Sequence, residues 1–348
     1  MDGHVREGML LGMCNPLLDI SATVDGDLLA KYHMKPNDAI LAEDQHMPLY
    51  KELVEQYKVE YIAGGAAQNA LRVAQWLLGK PKVCVFFGCI GRDEFGEILV
   101  KKATEDGVDV QYQYNEKQPT GTCAVLITNN GTQRSLCANL AAANHFTPDH
   151  IRLPENKKIV QSVDYVYVSG FFLTVSVESI LEVAEVALQR NKLFCMNLSA
   201  PFLSQLFKTQ MMKVMPYVDI LFGNETEAAV FAKEQDLEEK EDLHKVALLM
   251  TRLPKQNTKR SRIVIITQGA EPVILAKDGE TKEFPVSLLP PEKLVDTNGA
   301  GDAFVGGFLA QLIQGASIDQ CIDCGVWAAT EIVQRSGCTF DGPAHYTP

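Results

Sequence analysis

The stretch DTNGAGDAFVGG, residues 296–307, places a carboxylate directly after small residues and at the start of an apolar helical pattern. Backbone amides at a helix N-terminus bind anions, and small residues let a phosphate approach them closely. Asp302 falls in the first predicted turn, where the helix dipole favours a carboxylate. It can be a helix cap, or a general base that takes a proton from an alcohol beside a bound phosphate. The stretch alone leaves both interpretations open.

A second carboxylate follows the apolar run DILFG, residues 219–223. Asn224 and Glu227 are three positions apart at a predicted helix start, and therefore lie on one face. Asparagine is a good helix cap. Equally, Glu227 can hold Mg²⁺ through a water molecule, because Mg²⁺ keeps several waters and uses few carboxylates. These residues alone do not decide between the two roles.

The common nucleotide-binding motifs are absent from the sequence. A P-loop fails because Gly79-Lys80 is followed by proline. A dinucleotide fingerprint would need glycine where Phe304 stands. The sequence therefore indicates phosphate chemistry without a P-loop.

Short apolar runs alternate with helical patterns along most of the chain, which predicts an α/β fold of three layers, α/β/α, with a mostly parallel central sheet. In such sheets ligands bind beyond the carboxyl ends of the strands, where the candidate residues fall. The predicted strands are 83–90, 165–170, 193–199, 219–223 and 262–269, and the predicted helices include 94–107 and 176–191.

Two segments interrupt this alternation, residues 17–42 and 110–140. The second has the alternating residues of a hairpin, with Asn129-Asn130-Gly131 as its turn. We expect both segments to form a small antiparallel β layer above the open edge of the main sheet, where it can act as a lid.

Composition narrows the class of protein. The net charge is −12 over 348 residues, which argues against a nucleic-acid partner. No apolar run can span a membrane, and the first residues do not resemble a signal peptide, so we expect a cytoplasmic, or cytoplasmic and nuclear, protein. The nine cysteines are then reduced, and Cys321 and Cys324 are expected to face a core. The basic cluster 255–262 is expected to be a solvated loop.

Three of these motifs together carry a family resemblance. DTNGAGDAFVGG, GGAAQN (64–69) and NETE (224–227) resemble signatures of the ribokinase-like, or PfkB-type, sugar and nucleoside kinases. CNPLLDIS (14–21) and NLSAPF (197–202) are similar to members of that family that act on adenosine. The resemblance extends over residues 8–340.

The resemblance implies one ribokinase-like unit over residues 1–348, with a small β-rich lid at about 17–63 and 110–141. It implies ATP-dependent phosphorylation of the 5′-hydroxyl of adenosine, giving AMP and ADP, a reaction of purine salvage. ATP would bind with Mg²⁺, and a potassium ion in the anion hole stays an open question. The expected partners are adenosine and ATP, with no nucleic acid or membrane, and the chain is expected to be a monomer.

The resemblance also implies individual roles. Asp302 would be the base, and the amides of Gly299, Ala300 and Gly301 would form the anion hole. Arg134, in the lid, would swing toward the transferring phosphate. Contacts of the ATP base near Val326-Trp327 stay open. The implied nucleoside site is Asn15, Asp19, Ile40, Gly64, Gly65, Asn69, Leu136, Phe171, Phe202 and Asn298, and the implied ATP and magnesium side is Asn224, Glu227, Gln268 and Gly269.

Two rival functions remain at this stage. The same fold can act on another alcohol, such as ribose, fructose or a different nucleoside, but a sugar site would want polar residues where Phe171 and Leu136 stand. A binding module without turnover would keep the pocket and lose Asp302, which is present.

Overall fold

In the computed structural model, the described residues are 5–36, 39–129, 133–237 and 241–347. The strands in these ranges are β1 (Leu10–Met13), β2 (Leu17–Thr23), β3 (Ala39–Leu41), β4 (Glu60–Gly64), β5 (Cys84–Phe87), β6 (Cys89–Gly91), β7 (Asp109–Val110), β8 (Gln113–Asn115), β9 (Thr122–Thr128), β10 (Gln133–Asn139), β11 (Tyr165–Ser169), β12 (Leu193–Asn197), β13 (Ile220–Asn224), β14 (Ile263–Gln268), β15 (Glu271–Lys277) and β16 (Glu280–Phe284).

The α-helices in the same ranges are α1 (Gly26–Lys31), α2 (Met47–Gln56), α3 (Ala66–Leu78), α4 (Glu94–Glu105), α5 (Pro148–Arg152), α6 (Pro154–Ser162), α7 (Val177–Gln189), α8 (Pro201–Leu206), α9 (Lys208–Val214), α10 (Glu225–Glu234), α11 (Leu243–Thr251), α12 (Ala300–Ile313) and α13 (Ile318–Ile332).

The large sheet has the strand order β16-β15-β14-β13-β12-β11-β1-β5-β7 among the described residues. Its strands from β14 to β7 are parallel, and β15 and β16 add an antiparallel edge. Both faces are buried: in β1, Leu10 packs on the side of α3, α12 and α13, whereas Leu11 and Met13 pack on the side of α7, α10 and α11. The predicted three-layer α/β/α fold is confirmed.

The small sheet has the order β3-β10-β9-β2-β4. The prediction of an antiparallel layer was wrong, because β2 pairs with β9 in parallel and β10 pairs with β3 in parallel. Within the described part of the small sheet, only the pairs β9–β10 and β2–β4 are antiparallel. The sequence pattern predicted the hairpin, but it contains no signal for the long connections that make the pairs β2–β9 and β3–β10 parallel. Of the predicted turn Asn129-Asn130-Gly131, the last two residues lie outside the described residues.

The predicted strand 83–90 is divided in two. β5 stays in the large sheet beside β1 and β7, whereas β6 leaves it and pairs with β8. A continuous apolar run cannot reveal this change of partner, since every residue of both strands is buried.

The basic cluster 255–262 is a loop, as predicted, but it is only partly solvated, because Asn257 and Arg262 are buried. Arg262 is fully buried and donates hydrogen bonds to five backbone carbonyls, those of Met215, Val218, Met250, Leu253 and Pro254. Burial lowers its pKa to about 10. Its planar group serves several chain segments at once, which a flexible surface arginine would not do.

The prediction that Cys321 and Cys324 face a core is confirmed. All nine cysteines are buried free thiols, and Cys321 and Cys324 lie in the apolar interior on α13. Among the described residues, no helix is both long enough and apolar enough to cross a membrane.

Candidate active site

Helix α12 places the base candidate at the carboxyl ends of the parallel strands. Gly299, with φ +80°, is its N-cap residue, and Asp302 lies in its first turn. α12 packs between α3 and α13, and a Cβ on Gly306 would lie 2.5 Å from the carbonyl oxygen of Ala70 on α3. Glycine is therefore required for this close helix contact, which sets where Asp302 stands.

The Asp302 carboxylate accepts a hydrogen bond from Asn69 Nδ2 at 3.1 Å. Burial, together with repulsion from Glu227 and Asp19, raises the pKa of Asp302 to about 7, although the Asn69 hydrogen bond opposes the rise. A carboxyl group that titrates near neutral pH is suited to act as a general base. The N-cap residue is Gly299, so Asp302, three positions later, is not the cap of α12.

A cleft of about 120 Å³ opens beside Asp302. It brings together the start of α12, the ends of β12, β13 and β14, and an aromatic wall. Its lining residues are Ala66, Phe171, Asn197, Ser199, Phe222, Gly223, Asn224, Glu227, Thr267, Gly299, Gly301, Asp302, Phe304 and Val305.

Asn224 and Glu227 form a reciprocal capping box at the start of α10. Asn224 Oδ1 accepts from the Glu227 amide at 2.8 Å, and Glu227 Oε2 accepts from the Asn224 amide at 3.0 Å. The carboxylate nevertheless lines the cleft, and burial raises the pKa of Glu227. The capping interpretation is thus correct, and it leaves room for a second role.

The described residues contain no group of three or more His, Cys, Asp or Glu side chains that could hold a metal ion. This does not conflict with Mg²⁺, which takes one or two carboxylates, substrate phosphate oxygens and water. Glu227 stands in the same cleft as Asp302, and the two carboxylates repel each other. A divalent cation held through water fits this arrangement.

One face of the small sheet carries three of the predicted residues. Arg134 and Leu136 are two positions apart on β10 and therefore lie on the same face of the sheet. Asp19 on β2 lies on that face too, because β2 and β10 both pair with β9 in the matching register. Ile40 pairs with Cys137 and packs against the apolar cluster on the other face. The structure therefore brings Asp19, Arg134 and Leu136 together and leaves Ile40 apart from them.

Asp19 is the second carboxylate with a strongly raised pKa. Burial raises its pKa to about 6, with Arg134 and Arg72 opposing the rise. A Cβ on Gly64 would lie 2.5 Å from Asp19 Oδ1, so the backbone of β4 must be bare at this point. Gly64 thus gives space to the Asp19 carboxylate, whereas Gly65 lies against the backbone of Asn15 and Leu17.

Arg134 is held at the loop before α12. Its Nη1 lies 2.9 Å from Asp296 Oδ2 and donates to Ser336 Oγ at 3.2 Å. Asp296 Oδ1 also accepts from Asn298 N and Nδ2, both at 2.9 Å. The predicted partner of Arg134 is a phosphate, and in this structure a buried carboxylate takes that place. The side chain of Asn298 is likewise directed at Asp296.

Of the predicted nucleoside-binding residues Asn15, Phe171 and Phe202, only Phe171 lines the cleft among the described residues. The Phe171 and Phe202 rings are 6.2 Å apart, and Phe171 lines the cleft. The buried Asn15 Oδ1 has no hydrogen-bond partner among the described residues, so a donor on a bound molecule can satisfy it.

The predicted ATP side is less well assembled. Gln268 Nε2 donates to the carbonyl of Pro272 at 2.5 Å, and Gly269, with φ +59°, belongs to the turn between β14 and β15. Trp327 stacks on Trp76 at 5.6 Å. The Ala300 amide donates to the carbonyl of Thr297 at 3.3 Å.

Sequence reasoning missed Asn197, Ser199 and Thr267, which line the cleft. All three lie at or near the carboxyl ends of β12 and β14, so the rule used for Asn224 would have found them. Asp296 was quoted without a role, because no local pattern indicates that it meets Arg134.

The comparisons with known proteins agree with this geometry. The profile of the pfkB family carbohydrate kinases matches residues 27–345. The chain belongs to this family. This pfkB-family chain is 52% identical over 334 residues to "Adenosine kinase 2" of Arabidopsis thaliana, covering 96% of each chain. It is 44% identical to the adenosine kinase of Schizosaccharomyces pombe, covering 98% of each.

Solved structures give the same result. The Anopheles gambiae adenosine kinase in complex with P1,P4-di(adenosine-5) tetraphosphate is 59% identical, with a TM-score of 0.90 over 98% of this chain and 100% of that one. The Schistosoma mansoni adenosine kinase in complex with adenosine and AMP is 36% identical, with a TM-score of 0.87 over 97% and 98%.

Proposed function

We propose that this pfkB-family chain transfers the γ-phosphoryl group of ATP to the 5′-hydroxyl of adenosine, giving AMP and ADP. One observation carries the proposal. Asp302, whose carboxyl group has a pKa of about 7, lies in the same cleft as the N-terminus of α12. The similarity to adenosine kinases over nearly the whole chain supports the nucleoside as acceptor. The reaction converts a free nucleoside into a nucleotide, and it is therefore a salvage reaction.

In the proposed reaction, Asp302 accepts the proton of the 5′-hydroxyl as the oxygen forms its bond to the γ-phosphorus. The bond from that phosphorus to the bridging oxygen of ADP breaks. The amides of Gly299 and Gly301, which line the cleft, stabilise the charge on the transferring group, and the Ala300 amide can join them only by leaving the Thr297 carbonyl. Positioning and charge stabilisation supply most of the acceleration in such reactions.

Three further features of the site would bind the nucleoside. A carboxylate accepts both hydrogen bonds of vicinal hydroxyls, so Asp19 is proposed to hold the 2′- and 3′-hydroxyls of the ribose. Phe171, Phe202 and Leu136 offer apolar and aromatic surface that suits a purine. Asn15 Oδ1, buried without a partner among the described residues, supplies a further acceptor.

We propose that Mg²⁺ accompanies ATP on the Glu227 side of the cleft. When bound, the ion neutralises charge on the phosphates. Glu227 would orient the ion through water, and Asn224 fixes the Glu227 carboxylate through two hydrogen bonds. All proposed groups come from one chain, so we propose that a monomer is sufficient for activity.

Substrate profiling with radiolabelled ATP tests the proposal. The purified chain is offered adenosine, guanosine, ribose and fructose at equal concentrations, with Mg²⁺ present or replaced by a chelator. We expect transfer to adenosine to exceed transfer to either sugar, and to require Mg²⁺. Preference for a sugar would establish the rival function, and label transfer to no acceptor would leave a binding module.

A further inference from the structure

Arg72 is a buried arginine to which the proposed function gives no part. It lies on α3, and its side chain is 5% exposed. Its Nε is 2.5 Å from Asp106 Oδ2. Its Nη1 has two N–H groups, which donate to the carbonyls of Ala63 at 2.7 Å and Cys338 at 3.0 Å, and one of them is shared with Asn69 Oδ1 at 3.4 Å.

The contact with Asn69 decides which way that amide points. Arginine can only donate hydrogen bonds, and an ionised carboxylate can only accept them. Asn69 lies between Arg72 and Asp302, so only one orientation of its amide satisfies both neighbours. Its Oδ1 faces Arg72 and its Nδ2 donates to Asp302 Oδ2 at 3.1 Å.

We propose that Arg72 is a positioning residue for the base, holding Asn69 so that its amide orients the Asp302 carboxylate. This inference rests on the proposed role of Asp302 as the general base. Arg72 touches none of the reacting atoms in this assignment. It acts through one intermediate side chain.

An aromatic stack holds Arg72 from the other side. The Phe340 ring lies 5.4 Å from the Arg72 guanidinium and stacks on Trp76 at 5.0 Å. Trp76 also stacks on Trp327 and donates to the carbonyl of Gly342 at 2.8 Å. The C-terminal segment after Cys338 thereby packs against Arg72, and the stack contains both tryptophans of the chain.

The hydrogen bond from Asn69 matters because the other neighbours act against ionisation. Burial raises the pKa of Asp302 to about 7, and the Asn69 hydrogen bond lowers it. If Asn69 turned away, the pKa would rise further and less of the base would be ionised at neutral pH. The titratable groups that interact electrostatically with Asp302 from the surrounding elements are Glu227, Asp19, Cys14, Tyr167 and Cys338.

The test is the pH profile of kcat/KM, whose acid limb reports the base in the free enzyme. We expect Arg72→Met to move the midpoint of this limb upward by about one pH unit, the value of one hydrogen bond to a charged group. Arg72→Lys keeps a cation but not the planar fork, so we expect a smaller shift in the same direction.

Arg262→Lys is the matched control, since Arg262 is also buried and bonded to carbonyls but lies before β14, at the opposite end of the strand from the cleft. It should lower the melting temperature and leave the midpoint unchanged. Tryptophan fluorescence shows whether each Arg72 variant keeps the aromatic stack. If Arg72→Met does not fold, Arg72→Lys decides.

A folded Arg72 variant with the wild-type midpoint overturns the positioning role. Asp302→Asn separates this failure from failure of the proposed function. An inactive Asp302→Asn beside an unshifted Arg72 variant removes only the role of Arg72. An active Asp302→Asn removes the base itself.

Discussion

Among the described residues, buried carboxylates lie near both ends of β13, but only the one at the amino end has cations beside it. At its amino end, Asp219 is 2% exposed and lies 2.6 Å from Lys255 Nζ and 3.2 Å from Arg260 Nε. At its carboxyl end, Glu227 and, across the cleft, Asp302 form no ion pair with any described cation, and the pKa of each is raised. Both ends belong to the same strand and both sets of carboxylates are buried, so the two ends differ in whether a cation lies beside the carboxylate.

This difference separates stability from chemistry. A buried carboxylate with cations beside it stays ionised and contributes to the fold, although desolvation offsets part of the gain. A buried carboxylate without a cation holds its proton more tightly and can exchange it near neutral pH. The carboxyl end therefore gives up stability to keep reactive groups, and this contrast can be tested.

The largest expected effect is that of Asp302→Asn on turnover. We expect kcat to fall by about 10²–10⁴-fold, the usual contribution of a general base, while adenosine still binds. Single-turnover kinetics with calorimetric adenosine titration measure both. A variant with near-normal kcat would return Asp302 to a structural role at the helix start.

The same variant should be more stable than the wild type at pH 8. The folded-state pKa of Asp302 is about 7 and its ordinary value is 3.8, so the folded state holds the proton more tightly. Wild-type stability from this group therefore falls as pH rises from about 4 to 7, and the amide avoids that loss. Thermal melts at pH 4 and pH 8 should show the difference only at pH 8.

Asp219→Ala should have the opposite outcome. Removal of one partner leaves Lys255 and Arg260 with an uncompensated buried charge, which costs about 3–5 kcal/mol of unfolding free energy. We expect kcat of the folded enzyme to be unchanged, because Asp219 is at the far end of the strand. Denaturant titration and kinetics at 15 °C give both values, and lost activity with intact stability would contradict the contrast.

Asp19→Ala should have a smaller effect, on binding alone. Loss of a partner for the ribose hydroxyls costs about 1–3 kcal/mol of adenosine affinity. In the wild type, 2′-deoxyadenosine should bind more weakly for the same reason, and the variant should no longer distinguish the two nucleosides. Equal use of both by the wild-type enzyme would show that Asp19 points elsewhere.

The smallest effect is the pH dependence of the wild type. Since Asp302 must be ionised to accept a proton, kcat/KM should rise about tenfold per pH unit below pH 7 and level off above it. Steady-state assays from pH 5 to pH 9 measure this. A limb that lies near pH 4 would show that water or a cation lowers the pKa of Asp302 in the working enzyme.

The sequence was sufficient for whatever depends on local pattern. Strand–helix alternation predicted β11 to β14 and the layers around them, and strand ends with polar residues predicted Asn224 and Glu227. The motif around Asp302 predicted its place at a helix start. Each of these depends on residues within one or two elements, so periodicity and spacing contain the information.

Contacts between distant segments were beyond such reasoning. Arg134 meets Asp296 across 162 positions, and Arg72 meets Phe340 across 268, the differences 296 − 134 and 340 − 72. Nothing near either residue marks the partner. The burial of Arg262 was missed for a related reason. A basic residue is predicted to be exposed to solvent, and only the carbonyls of other segments, which the local sequence does not reveal, allow Arg262 to be buried. The parallel pairs of the small sheet depend on chain crossovers in the same way.

The strand order has a consequence for synthesis of the protein. β1 lies between β5 and β11, and β2 lies between β4 and β9. During synthesis, β1 and β2 therefore keep an unpaired edge until the later strands β11 and β9 have emerged from the ribosome. Such non-local pairing is slow and leaves apolar strands exposed to aggregation. Because α12 is made long after α3, against which it packs, the nascent chain cannot complete its site until α12 has emerged, and chaperone binding is expected throughout that interval.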